Sequence, residues 1–455
     1  MADGYDCVVI GSGPGGYVAA IRAAQLGMKT AIVESDRIGG RCLNYACIPA
    51  KSVLRAADVL SEVGDAAKFG IEVQGTSVDF GGVGAHRDRV VKTLTSGVAG
   101  LMKKNDVEVV ESHGKLTSDG NVAAGDRELE TDKVVLATGS VAKPILDLEF
   151  SDRVLDTAGV WLLGEQPGRL AVIGAGASGT EIASAYGRLG TEVVLLEALP
   201  QILPLEDEEI AKACAREIRK QNVTIVTEAN VSAAKPGKRA VTLDWGDCEQ
   251  EFDYLCIAAG RGADTDGLGL DDAGVEADER GAVNVDGAMR TSRDGVYAIG
   301  DLVPGPALAH KASDEGVIAV EDAAGEPTRP LDHDAIPAAT FCHPQVASFG
   351  MTEKQARDAG HDVAIGKVPL GAVGGPTVYG DRGGMIKIVG DKRYGELLGA
   401  HIVCAKAADL IQELVQAREL EGGFTEVAHT IHAHPTFSEA VMEAARAADG
   451  WLVHG

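Results

Sequence analysis

The chain has 455 residues, 45% of them hydrophobic and 4% aromatic, and a net charge of −26. That length exceeds one ordinary core and calls for roughly two to four domains. The negative charge repels phosphate backbones and anionic membrane surfaces, and the scarcity of aromatics removes a base-stacking platform, so binding to nucleic acid or membrane is not expected.

The same charge favours solubility, and it suits either a basic protein partner or a salt-adapted host. The opening residues lead straight into a strand, with no basic leader and no apolar run of about 18 residues anywhere. Eight cysteines are too dispersed for a disulfide scaffold, and no two are spaced C-x2-C for structural zinc. A soluble protein of a reducing compartment, the cytoplasm, is the expectation.

In chain order, Cys7-Val8-Val9-Ile10 is an apolar run that predicts a strand. Gly11-x-Gly13-x-x-Gly16 follows, then a helical stretch to Leu26 and a second apolar run, Thr30-Ala31-Ile32-Val33, ending at Glu34. Strand, glycine turn, helix, strand and acid in that order form a dinucleotide-binding unit. Gly11 permits the tight turn, Gly13 lets the backbone approach a pyrophosphate, and Gly16 allows close helix–strand packing. Glu34 is placed to accept hydrogen bonds from a ribose.

Next comes Gly39-Gly40-Arg41-Cys42-Leu43-Asn44-Tyr45-Ala46-Cys47-Ile48-Pro49. A flavin and a cysteine pair both exchange two electrons, so Cys42 and Cys47 beside a dinucleotide fingerprint read as a redox relay. An amphipathic helix is predicted from about 46 to 62 and another from about 86 to 104, followed by short turn-rich strands.

Pro144 marks a boundary, after which the unit recurs. Leu170-Ala171-Val172-Ile173 leads into Gly174-x-Gly176-x-x-Gly179, a helix to Leu189, and Val193-Val194-Leu195-Leu196 ending at Glu197. Glu34 stands 23 positions after Gly11, and Glu197 stands 23 after Gly174. Two units in one chain suggest two cofactors that exchange a hydride. The cysteines assign FAD to the first unit and the nicotinamide to the second. Glu197 repels a 2′-phosphate and Ala198-Leu199-Pro200-Gln201 contains no arginine, which favours NAD over NADP.

The Gly/Asp-rich stretch 262–282 reads as a linker, a helix runs to about 324, and 325–330 reads as a second linker. From about 334 strands and helices follow without a glycine fingerprint, closing in a helix over about 436 to 448. Near that helix lie His434 and Glu439. Disulfide exchange needs a thiolate, a histidine removes a thiol proton near neutral pH, and a carboxylate orients its ring. The alternatives are a helix-start histidine with a first-turn glutamate, or a metal site at His429, His432 and His434. Their spacing suits no metal, and none is expected.

With these motifs the chain resembles the class I pyridine nucleotide-disulfide oxidoreductases, the flavoprotein disulfide reductases, and most closely their dihydrolipoamide dehydrogenase branch. The cysteine segment is similar to G-G-T-C-L-N-x-G-C-I-P-S-K. Ala137-Thr138-Gly139-Ser140 and Ala258-Ala259-Gly260-Arg261 look like the family's two domain closures. Val296-Tyr297-Ala298-Ile299-Gly300-Asp301 looks like its second flavin motif, and Ala307-Leu308-Ala309-His310 precedes a helix as in the family. His432-Ala433-His434-Pro435-Thr436-Phe437-Ser438-Glu439 matches H-x-H-P-T-x-S-E.

The resemblance implies an α/β fold with two Rossmann-like dinucleotide-binding domains, for FAD and NAD, and a C-terminal α+β dimerisation domain. Residues 1–143 and 263–333 are the expected FAD-binding parts, 144–262 the NAD-binding domain, and 334–455 the dimerisation domain. Lys51 is implied near the flavin, paired with Glu181. Gly114 is implied on the adenine side of FAD, Val231 on that of NAD, and Asp301 on the ribityl chain. A homodimer, with His434 serving the partner subunit's cysteines, is implied, as is the lipoyl domain of a 2-oxoacid dehydrogenase or glycine-cleavage complex as partner. Oxidation of dihydrolipoamide by NAD+ is the leading expectation. A reductase of glutathione or mycothione disulfide, and a non-catalytic flavoprotein subunit, are the alternatives. Arg41 for threonine, Ala46 for glycine, Ala177-Ser178 in the second turn and Gly262-Ala263 after Arg261 depart from the family pattern.

Overall fold

The computed structural model describes residues 4–455. The chain divides into two compact units. One holds the chain up to Pro49 with Ala85–Lys143 and Gly260–His333, and the other holds Ala50–Gly84, Pro144–Ala259 and Asp334–Gly455.

In the first unit, strand Gly4–Ile10 lies between Thr30–Glu34 and Arg127–Leu136, parallel to both. Glu108–Glu111 extends the sheet beyond Thr30–Glu34, and Val296–Ala298 adds in parallel to Arg127–Leu136. The central stretches Cys7-Val8-Val9-Ile10, Ala31-Ile32-Val33 and Val134-Val135-Leu136 are apolar on successive positions because a parallel sheet is covered on both faces. Val8 and Val9 point to opposite faces and both are buried. Helices Pro14–Gln25 and Ala309–Ala323 approach closely, since a Cβ on Gly316 would come within 2.7 Å of the Gly15 carbonyl oxygen.

The second unit repeats the parallel arrangement. Its strands run in the order Val223–Val226, Glu192–Leu196, Arg169–Ile173, Tyr254–Ile257 and Val154–Asp156. The antiparallel ribbon Val231–Pro236, Val241–Trp245 and Cys248–Phe252 packs beside it through Leu243 and Phe252. The same unit contains an antiparallel sheet ordered Ala338–Thr340, Gln345–Gly350, Leu397–Cys404, Met385–Asp391 and Val363–Pro369. Helices Ala407–Glu419 and Glu439–Ala448 bury Ile411, Leu414, Val441 and Ala444 in its core.

Three boundaries differ from the sequence expectation. The helix expected from about 86 starts at Phe80, because Val83 N already donates to Asp79 O while Gly81, Gly82 and Gly84 dilute the apolar period. The stretch 262–282 is not an open linker. Arg261–Ala263 pairs with Ser140–Ala142, and Leu268, Leu270 and Val275 enter the first unit's core. The last helix begins at Glu439 rather than 436, with Ser438 at its N-cap.

Candidate redox and dinucleotide site

The first fingerprint forms a turn closed by its own backbone. Gly11 has φ +101°, and a Cβ at Gly16 would overlap the Gly11 carbonyl oxygen. A Cβ at Gly13 would meet nothing within 4 Å, and Gly13 caps helix Pro14–Gln25 without any side-chain bond. The first N–H groups of that helix therefore open onto a cradle suited to an anion. The second fingerprint repeats each feature. Gly174 has φ +98°, a Cβ on Gly179 would overlap the Gly174 carbonyl oxygen, and Gly176 caps helix Ala177–Leu189 over open space.

The two acids close matching turns. Glu34 Oε2 accepts from Ser12 N at 2.9 Å and Ser12 Oγ at 2.6 Å, while Oε1 accepts from Asp36 N at 2.8 Å. Glu197 Oε2 accepts from Ala175 N at 2.7 Å, and Oε1 from Leu199 N at 2.9 Å. Ser12 went unnoticed in the sequence because it occupies a variable position of the fingerprint. Its hydroxyl also accepts from Gly39 N at 3.1 Å, tying the fingerprint to the cysteine segment.

Cys42 and Cys47 form a disulfide with Cα atoms 4.8 Å apart. Cys42 lies in the short helix Gly40–Asn44, and Cys47 opens the helix Cys47–Asp65. Asn44 Nδ2 donates to Ile38 O and Gly40 O and fixes the intervening turn. Gly40 lies so close to the first fingerprint that a Cβ there would come within 2.6 Å of Gly13 Cα. The disulfide segment thus rests on the turn that forms the first cradle.

Ser140 Oγ donates to Asp301, and Thr138 Oγ1 donates to Asp264 O at 2.6 Å. Gly139 has φ +82° with open space around it, as does Gly260 at φ +145°. Gly114 packs against Ile10 and Val33, at the ends of the strands that carry Gly11 and Glu34. Ala307 and Leu308 lead into helix Ala309–Ala323, in which His310 is the second residue. One clamp of this region was not read from the sequence. Lys311 and Glu315 form a buried ion pair at 2.8 Å, with Lys311 Nζ donating to Gly300 O and Glu315 Oε2 accepting from Gly300 N. Their i, i+4 spacing was the available signal.

In the second unit Lys51 Nζ lies 2.9 and 3.0 Å from the two carboxylate oxygens of Glu181, whose Oε1 also accepts from Phe341 N at 2.8 Å. Lys51 stands over the Phe341 ring, 4.6 Å from its centre. Val231 begins the ribbon that follows the second sheet and is half-buried.

His434 Nδ1 lies 2.8 Å from Glu439 Oε1, and Thr436 N donates to Glu439 Oε2 at 2.7 Å. Burial alone would raise the Glu439 pKa, but the Thr436 N–H and the His434 ring hold it below the usual carboxylate value. An ionised Glu439 accepts a hydrogen bond from His434 Nδ1–H, which leaves the Nε2 lone pair to act as base. The His434 side chain is 74% exposed. His432 differs. Its ring nitrogens face Thr430 O at 2.9 Å and Glu413 Oε1 at 2.5 Å, and Glu413 raises its pKa. Two acceptors on one ring favour an imidazolium, which is neither a base nor a metal ligand. Among the described residues no group of three or more His, Cys, Asp or Glu side chains is placed to hold a metal ion. No helix among them is long and apolar enough to cross a membrane.

Residues 5–316 match the profile of the pyridine nucleotide-disulphide oxidoreductases, and residues 336–445 match that family's dimerisation domain. The chain belongs to the pyridine nucleotide-disulphide oxidoreductase family. A dihydrolipoyl dehydrogenase of Geobacillus stearothermophilus is 41% identical over 99% of this chain and 97% of its own length. One from Thermus scotoductus is 40% identical over 99% of this chain and 98% of its own length. Among solved structures, LpdA from Mycobacterium tuberculosis superposes with a TM-score of 0.89 at 25% identity, covering 97% of this chain and 99% of that one. The HOCl-induced flavoprotein disulfide reductase RclA from Escherichia coli superposes with a TM-score of 0.88 at 27% identity, over 98% and 99%.

Like its family, the chain is an FAD- and NAD-dependent disulfide oxidoreductase. Both cradles fit these groups. Each offers an uncapped helix N-terminus beside a glycine with open space, which a pyrophosphate requires, and a fixed carboxylate at the strand end.

Proposed function

We infer that this chain oxidises protein-bound dihydrolipoamide with NAD+. The observation that carries this reading is the Cys42–Cys47 disulfide seated on the first dinucleotide turn. The full-length relatives named dihydrolipoyl dehydrogenase support the choice of dithiol. The chain acts as a homodimer in the cytoplasm, and its dithiol is carried by the lipoyl domain of a 2-oxoacid dehydrogenase or glycine-cleavage complex.

His434, held through Nδ1 by Glu439, takes the proton of one substrate thiol at Nε2, and it does so for the partner subunit's disulfide. The resulting thiolate attacks Cys42 Sγ. The Cys42–Cys47 bond breaks and its electron pair moves to Cys47. Cys47 is the better leaving group because it opens a helix, whose N-terminal dipole stabilises a thiolate. The second substrate thiol then displaces Cys42, so the substrate becomes a disulfide as the enzyme's disulfide becomes a dithiol. The first cradle would hold FAD, which would supply two-electron exchange with that dithiol, and the second would hold NAD+, which would supply the hydride acceptor. Lys51, one turn along the helix from Cys47 and held by Glu181, would supply an ammonium group to FAD.

Steady-state assays test this. Turnover with dihydrolipoamide and NAD+ should far exceed reduction of glutathione or mycothione disulfide with NADPH or NADH. The opposite order would assign the site to another disulfide.

A further inference from the structure

Two cysteines outside the redox site lie side by side in the second unit. Cys214 is on helix Glu208–Ile218, and Cys342 lies in the turn between strands Ala338–Thr340 and Gln345–Gly350. Their sulfurs are 3.8 Å apart, and both side chains are buried in one core cluster. Cys342 Sγ also contacts Pro344 O at 3.1 Å. We propose that Cys214 and Cys342 are a second dithiol, which peroxide closes to a disulfide independently of Cys42 and Cys47.

A disulfide needs the sulfurs at about 2.05 Å, so closure requires an approach of about 1.8 Å, within reach of side-chain rotation and small shifts of the turn. A cavity of about 550 Å³, lined by Arg188, Glu217, Gln221, His343 and Pro344 among others, lies beside the buried pair. It touches the two residues after Cys342 and the end of the helix that carries Cys214. Arg188 Nη1 pairs with Asp58, while Nη2 is buried with no hydrogen-bond partner among the described residues. The Arg188 guanidinium adds positive potential that favours the Cys342 thiolate, against the contact with Cys214 and the burial that raise its pKa. Closure is therefore slow at neutral pH and faster in alkali.

The chemistry balances with hydrogen peroxide as oxidant. One sulfur attacks a peroxide oxygen, the O–O bond breaks, and a sulfenic acid and water form. The second sulfur displaces the sulfenic hydroxyl, which leaves as water, and the two thiol protons end in the two waters. The bridge would lie one residue from Phe341, whose N–H holds Glu181 and through it Lys51. It would stiffen the segment that positions this ion pair.

Peptide mapping of the full-length, FAD-loaded enzyme tests the proposal. The protein is incubated with hydrogen peroxide in its native state, alkylated on unfolding, and digested without reductant. A linked pair of Cys214 and Cys342 peptides is expected, released by dithiothreitol. The isolated buried thiols Cys7, Cys256 and Cys404 should stay reduced. Cys342→Thr should leave Cys214 free and abolish the rise in unfolding temperature that peroxide gives the wild type. Exposed Cys248 reports that the dose was sufficient. Oxidation of Cys248 with Cys214 and Cys342 both free, or each converted separately to a sulfinic acid, would overturn the proposal. The wild-type map decides the matter even if the variant fails to fold.

Discussion

We propose that the choice between NAD+ and NADP+ is set at Glu197, and its size follows from the geometry. The residue is 8% exposed, and both carboxylate oxygens are held by backbone N–H groups, from Ala175 and Leu199. So held, the carboxylate cannot swing aside. A 2′-phosphate brings a charge of about −1.5 to −2. At about 4 Å, each pair of like unit charges costs about 1 kcal/mol in water and about 4 kcal/mol near a protein surface. The lower bound is thus about 1.5 kcal/mol, or about tenfold in kcat/KM. Residues 198–201 offer no lysine or arginine to offset it. The assay compares kcat/KM for the two nucleotides with saturating dihydrolipoamide at fixed ionic strength, and at least ~10-fold preference for NAD+ is expected. Glu197→Gln removes the charge but leaves one of the two N–H groups without its acceptor, a cost borne with either nucleotide. The ratio of efficiencies is therefore the readout, and it should fall towards unity. Equal efficiency in the wild type, or an unchanged ratio in Glu197→Gln, would refute the reasoning.

His434→Ala should reduce dihydrolipoamide oxidation by about 10²–10⁴, a general base's usual contribution, while NADH still bleaches the flavin. Mixing His434→Ala with Cys42→Ser chains should restore turnover once tagged subunits exchange, because one site of the heterodimer then has both groups; exchange without recovery would place the base in the same chain. Gly16→Ala drives a Cβ into the Gly11 carbonyl oxygen and should yield protein with little bound FAD, measured from its visible absorbance against the yellow parent. Buried Lys387 lies 3.0 Å from Asp207, 2.7 Å from Glu209 and 2.9 Å from Glu353. Burial would raise Asp207, but Lys387 holds all three carboxylates below their usual values. Depressed carboxylates bind fewer protons folded than unfolded, so their stabilisation is present above the ordinary carboxylate range and lost as pH falls through the folded values. Lys387→Met should destabilise by about 3–5 kcal/mol near neutral pH, seen as a lower Tm, and should flatten the acid-side loss of stability.

The features legible in the sequence are those written over short spans. Gly11 to Glu34 and Gly174 to Glu197 each specify a turn, a helix start and a strand end within one supersecondary unit, where glycine sterics and apolar runs act locally. Cys42 with Cys47, and His434 with Glu439, are five positions apart, so local geometry suffices to join each pair. Where local pattern was diluted, the reading failed: the glycines after Asp79 concealed a helix start, and the acids and glycines around Leu268 and Leu270 concealed core residues. Only the tertiary structure joined Lys51 to Glu181 and Phe341 by direct contact, set Lys387 among three carboxylates, and brought Cys214 to Cys342 across 128 positions. Such pairings rest on burial. A charged or thiol side chain reads locally as a surface group or a generic core filler, and its partner is chosen by which distant segments the packing of sheets and helices brings together.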